Sequence, residues 1–456
     1  MTAVAQRIER NYMRLLIFGL LALSPLPFAS ARPTWQWLWV LAVGLIAFSF
    51  LVRSRREQIQ QWPRSIIISS GLVVVFILWG FVQAYMVLGT GTVIADLAPI
   101  KTVSVNPALT LSNTIFFLSH LIFFLGVFAY CSRREKAVNL LKVSGVIVAI
   151  YAAYGFIIYV SGNDTILWFK KWASPYSLTS TFVNRNSFAA YAAIGLQCLI
   201  AYSFFWVQDE LAEGRTGREL YRHILETMMA KAWWLPLAIF LTISALLLTS
   251  SRAGVGAAFI GVLVLLLLSP NRYKQELGGG LKTIMITIGF LIIGIGIFAL
   301  SGEALDQRLQ ADATVSMRFT AYPYMISAIM DNPITGFGLG TFDEVFRVYR
   351  GPDVTVYFDR AHSDYIEIAL TAGIPAAIIL VLACALPIFT LSSALKYGAQ
   401  YRSFIALGIS VTLQLGLHSL VDFSLQMPAV SYTWLAVLAA SMAIAVRCKR
   451  AAKTKS

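Results

Sequence analysis

The chain has 456 residues with 36 Lys and Arg against 22 Asp and Glu, a net charge of +14, yet only 13% of it is charged and 58% is hydrophobic. A mean hydropathy of +0.72 and apolar runs approaching the ~20 residues that a membrane span needs exclude a soluble multidomain protein and indicate an all-α, polytopic membrane protein. No nucleic-acid-binding motif accompanies the basic charge, which therefore speaks of topology and anionic lipid headgroups.

In chain order the apolar segments are Leu15–Ala31, Trp35–Val52, Ile66–Leu88, Leu109–Tyr130, Leu140–Val160 and Ser187–Val207, then Trp233–Thr249, Gly254–Leu268, Leu281–Leu300, Tyr365–Leu395, Phe404–Phe423 and Val430–Val446. They predict about twelve transmembrane helices. With both termini cytoplasmic, the loops on one side hold 25 of the 36 Lys and Arg but only 9 of the 22 Asp and Glu. That is a positive-inside pattern, and it orients the chain. The first segment follows a basic N-terminus and ends in Phe-Ala-Ser-Ala-Arg. An uncleaved span is expected, because cleavage would leave an odd helix count and move the basic C-terminal tail to the wrong side. Cys198 and Cys384 fall inside spans, and Cys131 and Cys448 at the cytoplasmic edge, so no disulfide is expected.

One outer loop is long. Residues 301–362 carry a helical pattern of their own, with Phe319, Tyr322, Ile326, Ile329 and Met330 at helix spacing. This predicts a helix lying on the membrane surface or packed over the bundle, with Pro323 kinking it or marking its start. Pro333, Gly336, Gly338 and Gly340 follow as a turn signal. A phosphate cradle is the alternative, but no strand precedes the glycines and the spacing fits no P-loop.

Polar residues gather where helices enter the membrane from the outside. Arg185 precedes the span starting at Ser187, with Asn184 and Asn186 as candidate caps; Arg252 sits in a tight hairpin capped by Ser251; His362 precedes another inward helix capped by Ser363. Helix N-termini present unpaired N–H groups and partial positive charge, so two added guanidiniums would make an anion site. A lone Arg at a span edge is otherwise a snorkelling anchor, and a loop histidine is otherwise a satisfied polar group. His120 and His223 take that plain reading. His418 and Asp422 are spaced i, i+4, which predicts a buried hydrogen bond on one helix face; a functional dyad is an alternative, and a metal pair lacks further ligands.

The stretches TFVNRNSFAAY, LLLTSSRAGVGA, SMRF with NPITGFGLGTF, and AHSDYIEIALTAGIP occur in this order. Together they resemble the membrane family of O-antigen ligases and Wzy-type O-antigen polymerases over residues 180–422. The resemblance implies about twelve spans, one large periplasmic loop (301–362) and a likeness to lipid-dependent, GT-C-like glycosyltransferases. It divides the chain into N-terminal transmembrane helices (1–180), a ligase-like core (181–446) and a basic cytoplasmic tail (447–456). It further implies an inner-membrane enzyme with a periplasmic site. The expected activity is transfer of a glycan from undecaprenyl diphosphate to lipid A-core or to a growing polysaccharide, with no metal or other cofactor. Carried onto this sequence, the catalytic residues are Arg185, Arg252 and His362, and the diphosphate and glycan contacts are Arg185, Arg252 and Arg318. The chain departs from the ligase pattern at Gly373-Ile374-Pro375-Ala376, where a second glycine is common.

The residues suit that chemistry on their own terms. Fixed cations stabilise the charge that grows on a departing diphosphate, and a histidine can accept the proton of an attacking hydroxyl in an inverting displacement. Within the family, a Wzy-type polymerase or a protein O-oligosaccharyltransferase remains open. A polysaccharide or lipid transporter would show half-repeats or ionisable groups deep in its spans, and apart from His120 those positions are almost free of them.

Overall fold

The computed structural model describes residues 3–53, 62–86, 102–211, 217–269 and 313–454. The apolar segment Leu281–Leu300 and the first part of the outer loop lie outside the described residues. Fifteen α-helices are described: α1 (Ala3–Leu23), α2 (Pro33–Arg53), α3 (Arg64–Tyr85), α4 (Pro107–Tyr130), α5 (Arg134–Val160), α6 (Arg185–Leu211), α7 (Gly217–Lys231), α8 (Trp234–Leu248), α9 (Arg252–Leu268), α10 (Ala313–Asp331), α11 (Phe342–Tyr349), α12 (Asp364–Ala372), α13 (Ile374–Ala394), α14 (Arg402–His418) and α15 (Pro428–Lys453). A two-residue hairpin, β1 (Thr165–Ile166) with β2 (Phe169–Lys170), follows α5. Among the described residues six helices, α3, α4, α5, α6, α13 and α15, are long and apolar enough to cross a membrane, and shorter apolar stretches lie in α1, α2, α8 and α9. At a rise of about 1.5 Å per residue, helices of 21 to 27 residues match the roughly 30 Å hydrocarbon core. This is a polytopic membrane protein.

Helix α15 is the axis of the bundle. In its most apolar window 94% of residues are buried, against 22% for α13, which keeps its apolar surface for lipid. It packs on α4, α5, α6, α13 and α14. The buried residues Ala436, Ala439, Ala440 and Ala443 keep α15 slim, and Gly408 of α14 lies so close that an added Cβ would stand 2.7 Å from Cβ of Ser441. Small residues at helix interfaces permit this approach where lipid supplies no hydrophobic drive.

The apolar stretch Tyr365–Leu395 is two helices rather than one. Gly373 separates α12 from α13 with φ +87°, and a side chain there would meet the Ile334 carbonyl. The break exists because the Pro333–Gly340 turn docks on it. Ile374 N donates to Pro333 O at 2.8 Å, Gly338 N to Thr371 O at 2.8 Å and Phe337 N to Leu370 O at 3.1 Å. Gln83, fully buried in α3, fastens the junction by donating to Thr335 O (2.6 Å) and Thr371 O (2.9 Å). These turn amides are engaged by backbone carbonyls, so the glycines act as a structural joint.

Residues 313–363 fold into a cap with an apolar core of its own, built from Ala321, Met325, Ala328, Phe342, Phe346 and Phe358. Helix α10 runs through Pro323. It packs with its small face, so that Phe319 remains 73% exposed and Ile326 and Met330 also face outward.

Candidate active site

Arg185 and Arg252 each occupy the first position of a helix, α6 and α9. Cations there oppose the helix macrodipole, which favours negative charge at N-termini. Of the candidate caps, Asn184 and Ser251 act: Asn184 Oδ1 accepts from Asn186 N at 2.7 Å, and Ser251 Oγ accepts from Gly254 N at 3.1 Å; Asn186 is no cap, since it lies inside α6. The two helix starts are then tied together. Ser251 Oγ donates to Asn186 Oδ1 at 2.8 Å, and Asn186 Nδ2 donates to Asp422 Oδ2 at 2.7 Å. Ser424 Oγ donates to the other carboxylate oxygen at 2.9 Å, and Asp422 is completely buried. Arg252 is exposed; Arg185 is half-buried and donates to Ser177 Oγ at 3.4 Å.

The link between α14 and α15, residues 419–427, also receives the start of α12. Ser363 caps that helix by accepting from Ile366 N at 3.5 Å, and donates to Ser419 O at 3.3 Å. Asp364 N donates to the same carbonyl at 3.0 Å, while its carboxylate accepts from Ser419 Oγ (2.7 Å) and Gln426 Nε2 (3.1 Å). Burial pushes the Asp364 carboxyl up to about 7; Glu367 and Asp422 add to the rise and the two hydrogen bonds oppose it. From the cap, Arg318 reaches the same link and donates to Val421 O at 3.3 Å.

His362 stands beside this junction. Its ring meets Phe423 edge-on at 5.0 Å and Phe358 at 5.8 Å. Its backbone is left-handed, φ +52°, and its Nδ1 is buried with no hydrogen-bond partner among the described residues. Both features cost free energy, and such costs concentrate at functional sites. The turn is held by Glu367, which pairs with Arg360 at 3.2 Å and accepts from Ala361 N at 2.9 Å. Burial first, and then the nearby Arg318, lower the imidazole to about 4 against the opposing pull of Asp422. The ring is therefore neutral at pH 7, an acceptor in the wanted form but below the range of an ordinary histidine.

The expected His418–Asp422 hydrogen bond is absent. Helix α14 ends at His418, so Asp422 falls outside any shared helix face and bonds to Asn186 and Ser424 instead. His418 is 1% exposed, with both ring nitrogens unpartnered among the described residues. His120 is a satisfied core histidine, bonded to Phe116 O (2.6 Å) and Ser431 Oγ (2.8 Å) and stacked on Tyr432. His223 lies 3.5 Å from Thr227 Oγ1. Among the described residues no group of three His, Cys, Asp or Glu is arranged to hold a metal ion.

Asp422, Asp364 and Glu367 are the members that sequence reasoning left out of the site. The last two lie inside the motif that contains His362, three residues apart at the start of a helix. The local signal at Asp422, its spacing from His418, points to the wrong partner, because Asn186 is 236 residues away.

No curated protein matches the chain. Residues 237–381, a stretch that includes Arg252, Arg318 and His362, match the family model described as O-antigen ligase, Wzy_C.

Proposed function

We propose that this protein transfers a glycan from undecaprenyl diphosphate to a sugar hydroxyl of lipid A-core at the periplasmic face of the inner membrane. The family match supports glycan ligase or polymerase activity in general. The observation that carries the finer reading is the pair of arginines at the positive ends of α6 and α9, joined through Ser251, Asn186 and Asp422. Two cations held against two helix dipoles are stabilised by an anion between them, and a diphosphate is such an anion.

In this reaction the acceptor oxygen attacks the anomeric carbon. The carbon–oxygen bond to the diphosphate breaks with its electron pair passing to the phosphate oxygen, and the hydroxyl proton passes to the His362 imidazole. A single displacement inverts the anomeric centre. Arg185 and Arg252 take the growing charge, worth on the order of 10²–10³ in rate per donor at comparable sites. Arg318 binds the same diphosphate. The bound anion offsets the Arg318 charge that depresses His362, raising the imidazole toward the range in which it holds a proton well.

The test is a gel of envelope glycans, with carrier-linked glycan extracted in parallel, from cells lacking the protein and complemented with variants. Long polymer accumulating on the carrier above a bare core is the expected ligase result. Core capped with a single repeat would assign a Wzy-type polymerase instead. His362→Ala should fail to complement, as should His362→Gly, which relieves the left-handed backbone while removing the imidazole. Full complementation by both would remove His362 from the chemistry.

A further inference from the structure

At the end of the bundle opposite the candidate site lies a cavity of about 500 Å³, lined by Arg133, Arg134, Glu135, Tyr401, Arg447 and Arg450. Three elements contribute: the start of α5, the last turns of α15, and the 3-10 turn Ala399–Tyr401 that leads into α14. Arg134 Nη2 reaches the Arg447 carbonyl at 3.4 Å, and its guanidinium stands 5.1 Å over the Tyr401 ring. Arg447 Nε is buried with no partner among the described residues. Four guanidiniums thus face one carboxylate around a concave space. The pair on α15 sits favourably at a helix C-terminus, but Arg133 and Arg134 sit at an N-terminus, where Arg133 forms no side-chain cap. Like charges gathered this way repel until an anion joins them.

We infer that this cavity binds the phosphate of an anionic phospholipid headgroup. Planar guanidinium forks suit phosphate oxygens, and basic pockets between helices on the side where Lys and Arg accumulate are the ordinary place for such headgroups. The lining helices α5 and α15 are both long and apolar enough to cross a membrane, so their ends lie at headgroup depth, where lipid phosphate is concentrated and a soluble anion is not. A lipid held there joins the start of α5 to the end of the axial helix.

The test uses the full chain in detergent, with thermal unfolding followed as phosphatidylglycerol, phosphatidylcholine or inorganic phosphate is added. Phosphatidylglycerol should give a saturable rise in Tm that phosphatidylcholine does not. Arg134→Gln with Arg447→Gln should abolish the rise, and Arg133→Gln with Arg450→Gln, at exposed positions that leave the fold intact, should reduce it. Arg222→Gln, an exposed surface change, should keep it. Native mass spectrometry should find one phosphatidylglycerol fewer retained on either double variant. An equal rise with inorganic phosphate would overturn the lipid as source, and an undiminished rise in both double variants would overturn the cavity.

Discussion

At the residue scale, two titratable groups two positions apart are moved in opposite directions by the same enclosure. Asp364 is raised from 3.8 to about 7 and His362 is lowered from 6.5 to about 4, so each is favoured in its neutral form in the folded protein. For Asp364 the stabilisation is complete below pH 3.8 and is lost as pH rises toward 7. For His362 it is complete above pH 6.5 and is lost as pH falls toward 4. Asp364→Asn removes the first dependence alone. The Tm of this variant should gain on that of the wild type as pH rises from 4 to 7 and then hold constant; a difference independent of pH would refute the raised carboxyl. The site's caps were legible in the sequence because a cap is a contact over two or three residues: Asn184, Ser251 and Ser363 all act as their spacing predicts. The partner of Asn186 was not, since no local rule connects it to a carboxylate beyond the end of another helix.

At the element scale, the break at Gly373 decides where His362 stands, because α12 is aimed by its junction with the Pro333–Gly340 turn and not by continuity with α13. Gly373→Ala would strain a backbone at φ +87° and press its Cβ onto the Ile334 carbonyl. Strain at such a φ alone costs about 1 kcal/mol or more. The expected outcome is a lowered Tm together with loss of glycan transfer, whereas Gly71→Ala, which meets nothing within 4 Å, should leave both unchanged. The break had a signal, a glycine followed two residues later by proline, but it is masked by apolar residues on both sides. The cap core was less visible still. Phe337, Phe342, Phe346 and Phe358 read as loop aromatics until α10 and α11 bring them together.

At the scale of the whole molecule, hydropathy was enough for the class, and the loop charges predict an orientation, since both depend on sums over long segments. They do not by themselves reveal which helix is central: α13 and α15 are both apolar enough to span, α13 the more so, and the alanines and serines of α15 mark it as a packed axis where α13 faces lipid. The orientation is open to direct measurement. Cys131, Cys198 and Cys448 are buried; with Cys384, half-buried within α13, replaced by Ala, an introduced thiol dominates labelling by an impermeant maleimide. Tyr176→Cys, at a position 77% exposed between α5 and α6, should label in right-side-out vesicles, and Lys453→Cys only in inverted ones. The reverse pattern would turn the candidate site toward the cytoplasm.

The hydrogen-bond chain through Asn186 also exposes the protein to chemical ageing at one atom. Its amide has a direction, with oxygen toward Ser251 and nitrogen toward Asp422. Deamidation would change the mass by about one unit and leave the shape nearly intact, yet it would replace the donor facing Asp422 with a second carboxylate. Two carboxylates in contact, one of them fully buried, must share a proton or separate. An old molecule would thus keep its fold and its place in the membrane, with the starts of α6 and α9 still joined through Ser251, while the start of α6 comes away from Asp422 and the link between α14 and α15.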